Sequence, residues 1–213
     1  MTPSGRTVLL AGATSAAGLA TARTLIDAGA RVIATGRSAE RLGALADAGA
    51  QTEVADAASL DDMTALAAKL DPVDAVVSLV GGWRGGGGLA GQSDDDFAAL
   101  LPALHAVRAT SRAFDAALKA SDAGRFAIVS STAVARPLAG GANYASVKAA
   151  AEAWTRAVAQ GYAKAAKDAG EPLRAASVIF RAAGALEPDA LAAAVRGLWD
   201  ADAALLNDSI VTL

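Results

Sequence analysis

Apolar residues fall along this chain in two alternating patterns. Short runs rich in Val, Leu, Ile and Ala occupy residues 7–11, 31–35, 75–80, 126–130 and 174–180, with a more polar one at 52–55 and a further one at 210–213. Between them lie longer stretches with the three-to-four-residue spacing of a helix face: after the first run through Ala28, then at 38–48, 59–70, 93–120, 144–169 and 188–200. The runs predict strands and the spaced stretches predict helices. The run AVVSLV at 75–80 shows no polar alternation, as expected of a strand covered on both faces. Gly29 closes the first helical stretch and Ser38 opens the second, matching the usual stop and start signals.

Strand and helix alternate with no internal repeat and no linker, which predicts a parallel sheet with helices on both sides. The expected fold is α/β: a Rossmann-type, doubly wound parallel sheet of about seven strands, a single domain over residues 1–213. Ligands bind such sheets at the carboxyl ends of the strands. The glycine turn after the first strand and the GGW loop after the fourth fall on that rim, as do Ser131 after the fifth and the Arg181 loop after the sixth.

Composition narrows the chemistry. The chain has 213 residues, 54% apolar and mostly Ala, with only 4% aromatic, so helices must pack closely through small side chains. A net charge of −3 without a basic patch argues against a nucleic-acid partner. Without cysteine there is no disulfide, thiolate metal site or thiol nucleophile. A single histidine, His105, argues against a histidine zinc site or a Ser-His triad and is expected at a surface or interface. The uncharged N-terminal run ends at Arg23, short of the ~18 residues of a spanning helix, so no membrane association and a cytoplasmic location are expected.

The rim carries three groups with catalytic potential: Ser131, Tyr144 thirteen residues on, and Lys148 four residues after that. A helix beginning at Tyr144 would set Tyr144 and Lys148 one turn apart on one face. A free phenol has a pKa of about 10; a neighbouring ammonium favours the phenolate and brings it toward the range where acid–base catalysis works. Ser131 is then placed to hydrogen-bond a substrate carbonyl. Alone, Tyr-x-x-x-Lys also describes an exposed tyrosine beside a solvated lysine, and its place on the rim favours the chemistry.

The first turn reads Gly12-Ala-Thr14-Ser15-Ala16-Ala-Gly18, small enough for a pyrophosphate to rest on the following helix N-terminus. After the second strand an acid would grip the ribose diol of NAD. This chain has Thr35-Gly36-Arg37-Ser38 there, and Arg37, with Ser38 and Arg41 nearby, suits the 2′-phosphate of NADP. The plainer reading makes these arginines decoration of a helix start. Asp56 either accepts from an adenine amino group or caps a turn.

Together, the glycine turn, Ser131 and Tyr144-x-x-x-Lys148 resemble the short-chain dehydrogenase/reductase family over nearly the whole chain. The resemblance implies that Tyr144 is the proton donor or acceptor. It also implies that Lys148 binds the nicotinamide ribose and that Ser131 positions the substrate oxygen. Gly12 and Gly18 line the phosphates, and Gly81 matches the glycine after the fourth strand. Departures are visible: Ala16 replaces the middle glycine and the relay asparagine falls near Ala103. The residues Phe180-Arg181-Ala182-Ala183 replace the usual Pro-Gly. The segment Val80-Gly-Gly-Trp83-Arg-Gly-Gly looks like a loop of quinonoid dihydropteridine reductases, where Trp83 would stack on a flat ring. Otherwise Trp83 packs that loop against the next helix.

The expected function is hydride transfer between NADPH, with NAD less favoured, and a carbonyl or flat-ring small molecule. The alternative is an NADP-binding sensor or scaffold with weak or no catalysis. Arg84, Arg136 and Arg181, in rim loops, would meet an acidic substrate or stay solvated. The glycine run predicts a loosely held loop over residues 81–91. The resemblance also implies a homodimer or homotetramer joined through the two long Ala-rich helices.

Overall fold

The structure is a computed structural model and describes residues 2–213. Seven parallel strands form one sheet: β1 (Thr7–Ala11), β2 (Arg31–Gly36), β3 (Gln51–Val54), β4 (Ala75–Ser78), β5 (Arg125–Ser131), β6 (Ala176–Ala182) and β7 (Ser209–Thr212). Their order across the sheet is β3-β2-β1-β4-β5-β6-β7. The chain lays strands outward from β1, then returns to place β4 on its other edge, with Val8 aligned to Val32 on one side and Ala75 on the other. The crevice opened by this reversal is where ligands of such sheets bind.

The strands alternate their side chains between two cores. Val8, Leu10, Val32, Val77 and Phe180 face α1 (Ala16–Asp27), α2 (Ala39–Asp47) and α7 (Pro188–Arg196). Leu9, Ile33, Val76, Phe126, Ile128 and Ile179 face α3 (Leu60–Lys69), α4 (Asp94–Ala113) and α6 (Ala142–Ala169). Each fully buried Leu, Ile or Phe contributes about 1.5–3 kcal/mol, so both faces drive folding. Ser15, Ser38, Ser59 and Ser93 precede α1 to α4, and each hydroxyl accepts the backbone N–H three residues on. Such a cap is worth about 1 kcal/mol.

Several boundaries differ from the sequence pattern. The stretch at 93–120 is two helices, α4 and α5 (Asp115–Ala120), because Phe114 leaves the helical region at φ −106°, ψ 6° with its ring buried. The helix holding Tyr144 starts two residues earlier, at Ala142. A short α8 (Ala203–Leu206) follows α7 without a clear apolar period to announce it. Most consequential, β6 runs to Ala182, so Arg181 lies inside a strand and not in a rim loop. With no proline at 181 to end the ladder, Arg181 pairs with Ser130 of β5. Among the described residues no helix is long and apolar enough to cross a membrane.

Candidate active site

Ser131 ends β5, Tyr144 stands in the first turn of α6, and Lys148 follows one turn later. All three border one cavity of about 1370 Å³ that opens on the crevice side of the sheet. Ser131 is buried; its hydroxyl oxygen accepts the Ala133 N–H at 3.1 Å, and its own O–H remains a donor, in the free protein to Tyr144. Lys148 is buried too; its Nζ donates to the Val129 carbonyl at 2.7 Å and lies 5.7 Å from the centre of the Tyr144 ring.

These positions set the proton chemistry. Burial pushes the Lys148 ammonium down to about 8, partly countered by the Glu152 carboxylate. Burial also pushes the Tyr144 phenol up, and a hydrogen bond with Ser131 only partly reverses this. The expectation that Lys148 lowers Tyr144 is therefore not met in the free protein, because desolvation outweighs every opposing influence and the ammonium is directed at a backbone carbonyl. Tyr144 is therefore held as a protonated phenol in the free protein.

The β1–α1 turn forms the other end of the cavity. Gly12 takes φ +76°, and a Cβ there would lie 2.5 Å from Val80 Cγ2. Gly18 is tighter: a Cβ would lie 2.0 Å from the Ala13 carbonyl oxygen. Ser15 and Ala16 at the start of α1 are exposed toward the cavity, so the Ala16 methyl, in place of the middle glycine, meets solvent and not the protein's own backbone. Gly81 sits beside Lys148, where a Cβ would come within 3.4 Å of Nζ. Thr14, Arg37, Ser38 and Asp56 stand outside the enclosed space. Arg37 is exposed, with no hydrogen bond or ion pair among the described residues. The Ser38 hydroxyl caps α2, and Asp56 accepts the Ala58 N–H at 2.9 Å in a local turn.

The loop after β4 departs from expectation. Its far half is tied down: the Gln92 side-chain amide donates to the carbonyls of Gly86, Gly88 and Gly140 at 3.0–3.2 Å. The Gly86 N–H donates to the Gly140 carbonyl at 2.7 Å, and the Asn143 N–H donates to the Gln92 oxygen at 3.1 Å. Trp83 does not pack against α4; it is 62% exposed and borders the cavity mouth with the 79%-exposed Leu138. Gln92 carried no sequence signal, because its role depends on a loop 48 residues away. Replacing Gln92 by Ala is expected to speed hydrogen exchange at the Gly86 amide at least tenfold. Unchanged exchange would mean the loop is held by other contacts.

The three arginines separate. Arg84 donates to the Trp83 carbonyl at 3.2 Å and lies 3.8 Å from Asp96, away from the cavity lining. Arg136 is exposed at the cavity edge. Arg181 is held by Glu152 through two hydrogen bonds, so it is not available to a substrate as expected. Glu152 and Ser130 are site-supporting residues the sequence reading missed. The spacing of Lys148 and Glu152, four residues apart on one helix face, was the available signal. His105 lies exposed on α4, and Ala103 packs against Leu100 and Val147 beside Tyr144.

The sequence profile of the short-chain dehydrogenases matches residues 6–166. The chain belongs to this family. Solved structures of short-chain dehydrogenases agree over its full length. A short chain dehydrogenase/reductase family protein is 26% identical, with a TM-score of 0.83, covering 100% of this chain and 97% of its own. A metagenomic short-chain oxidoreductase in complex with NADP is 27% identical, with a TM-score of 0.81, covering 99% and 96%. A short-chain type dehydrogenase/reductase from Mycobacterium ulcerans, 16% identical with a TM-score of 0.86 and covering 100% and 90%, shares the fold. No curated protein matches the chain. Short-chain dehydrogenases are generally oxidoreductases, and the cradle here fits a dinucleotide. The glycines keep the β1–α1 turn tight, since a Cβ at Gly12 would meet Val80 and one at Gly18 the Ala13 carbonyl, and the start of α1 opens onto the same cavity as Tyr144 and Lys148.

Proposed function

We propose that the protein is an NADPH-dependent oxidoreductase acting on a carbonyl or C=N carbon, with Tyr144 handling the proton. The observation that carries this reading is the convergence of Ser131, Tyr144 and Lys148 on one cavity with the β1–α1 turn. Gly12, Ser15, Ala16, Gly18, Gly81 and Lys148 would hold the cofactor, which when bound supplies or accepts the hydride. Ser131 turns its O–H from Tyr144 to the substrate oxygen and sets that oxygen beside the phenol. Tyr144, kept protonated by burial, gives its proton to that oxygen as charge develops there. Lys148, with its pKa near 8, can restore that proton without an α4 asparagine. Trp83 and Leu138 form an apolar mouth suited to a flat ring and help to exclude water.

Arg37 supports NADP over NAD, because it is exposed and uncommitted where an acid would otherwise take the ribose diol. The similar structure in complex with NADP is consistent with that choice. An exposed arginine–phosphate contact is worth about 1–3 kcal/mol, or roughly 5- to 150-fold in affinity. Fluorescence titration should show NADPH binding more tightly than NADH by this margin, and Arg37→Ala should erase it. Equal affinities in the unaltered protein would remove the preference. The exposed alanines Ala98 and Ala99 of α4 and Ala149, Ala153 and Ala157 of α6 would serve self-association through those helices. Oxidation of NADPH against a panel of ketones, quinones and quinonoid pterins tests the activity. Tight NADPH binding with no oxidation across the panel would favour a binding protein instead.

A further inference from the structure

A buried polar cluster adjoining the reacting groups lies one turn further along α6. Glu152 follows Lys148 by four residues, and the two are buried at 4% and 7% exposure. Arg181 grips the Glu152 carboxylate twice, Nε to Oε1 at 2.8 Å and Nη2 to Oε2 at 2.6 Å. The Ser130 hydroxyl donates to Oε1 at 2.7 Å. Ser130 and Arg181 are direct cross-strand partners, on the rows of β5 and β6 that face α6. One carboxylate therefore joins β5, β6 and α6 a single residue before Ser131 and a single turn after Lys148.

We propose that Arg181 and Glu152 are positioning residues, a charge-balanced pair that keeps Lys148 on the Val129 carbonyl and beside Tyr144. A carboxylate buried to this degree demands full pairing. Lys148 is the nearest other buried cation and feels the Glu152 charge. If Arg181 were absent, Glu152 would draw the ammonium along the helix, away from the carbonyl and from the phenol. With Arg181 present the carboxylate is satisfied and the ammonium is left to the active site. This explains why a strand residue takes the place of the usual Pro-Gly: the ladder must extend far enough to deliver a guanidinium.

The other charged groups around the pair are few. Arg156 of α6 also acts on Glu152 but is exposed and pairs with Asp208, just before β7, at 3.2 Å. Arg136 stands at the cavity edge after β5, and Arg84 lies near Asp96 at the start of α4. From α1 and α7 only uncharged residues border the cavity.

The kinetic consequences rest on the roles proposed above for Tyr144 and Lys148; the electrostatic ones do not. The protein has two tyrosines, and burial pushes the Tyr162 phenol far up. Carbon-13 labelling at tyrosine Cζ therefore reads the ionisation of Tyr144 in the cofactor-free protein, with Tyr144→Phe assigning the signal. Glu152→Gln removes the negative charge and leaves Arg181 positive, so the Tyr144 titration is expected to move to lower pH. Arg181→Met leaves the carboxylate uncompensated, so the titration is expected to move to higher pH. The double variant restores the charge balance and should return toward the unaltered protein. Each single variant should also lose about tenfold in kcat. Opposed shifts that cancel in combination show that the charges of the pair reach Tyr144, and a kcat that the double variant recovers shows that they act on the active site, which a purely structural role would not give. If Arg181→Met fails to fold, the isosteric Glu152→Gln and the double variant carry the test. Titrations that stay put, or move the same way in the variants, overturn the proposal whatever the turnover. Opposed shifts in a protein that oxidises no cofactor would uphold the pair and overturn the oxidoreductase reading.

Discussion

Tyr144→Phe is expected to lower kcat by roughly 10²- to 10⁴-fold while leaving NADPH affinity nearly unchanged. The substitution deletes one oxygen, the atom that carries the proton. It keeps the ring, which packs against Leu100, Ala103 and Val147 and so holds the start of α6 in place. Lys148→Ala should behave differently and reduce both turnover and cofactor affinity. Its ammonium lies against the Val129 carbonyl, next to Gly81 and within reach of the phenol ring. Stopped-flow turnover on a confirmed substrate and fluorescence titration with NADPH separate the two patterns. A Tyr144→Phe protein that kept most of its activity would remove Tyr144 from the reaction.

Gly18→Ala is expected to be among the most damaging single methyls in the chain. The new Cβ would lie 2.0 Å from the Ala13 carbonyl oxygen and 2.6 Å from its carbon, atoms of a backbone that cannot rotate aside. Relief requires α1 to move away from the β1–α1 turn, where the pyrophosphate of a bound cofactor would rest. Overpacking of this kind costs about 1–3 kcal/mol or more, and NADPH affinity should fall at least tenfold. Ala16→Gly is the matched control. Ala16 is exposed, so the change should cost no more than about 1 kcal/mol of helix propensity and leave binding close to normal. Thermal unfolding with and without NADPH checks both. Equal behaviour of the two variants would mean that the turn has slack which its contacts do not show.

The centre of the sheet was legible in the sequence because its strands are buried on both faces and read as apolar runs, AVVS of β4 most plainly, whereas the edge strands β3 and β7 are half exposed. Ser131, Tyr144 and Lys148 were legible because their spacing is local: a strand end, then a helix turn. What stayed hidden depends on long-range partners. Arg181 looked like a loop residue because nothing nearby in sequence shows that the ladder continues to Ala182. Gln92 looked like loop filler until three carbonyls, one of them 48 residues distant, met its amide. The break at Phe114 followed from where one ring is buried, which helical periodicity does not record. The direction of the Tyr144 shift was misread for a related reason. Charge neighbours can be inferred from spacing, whereas desolvation depends on everything packed around the group.

The order in which the sheet is laid down has a consequence for synthesis on the ribosome. β1, β2 and β3 emerge first and build in one direction, which leaves the other edge of β1 open. That edge belongs to Val8, Leu9, Leu10 and Ala11, and it finds its partner only when Ala75 to Ser78 arrive. For that interval the nascent chain carries an unpaired, entirely apolar strand edge at its centre, the kind of surface that seeks another chain. Seen this way, the reversal that opens the crevice for a ligand also fixes the most hazardous moment in the protein's birth.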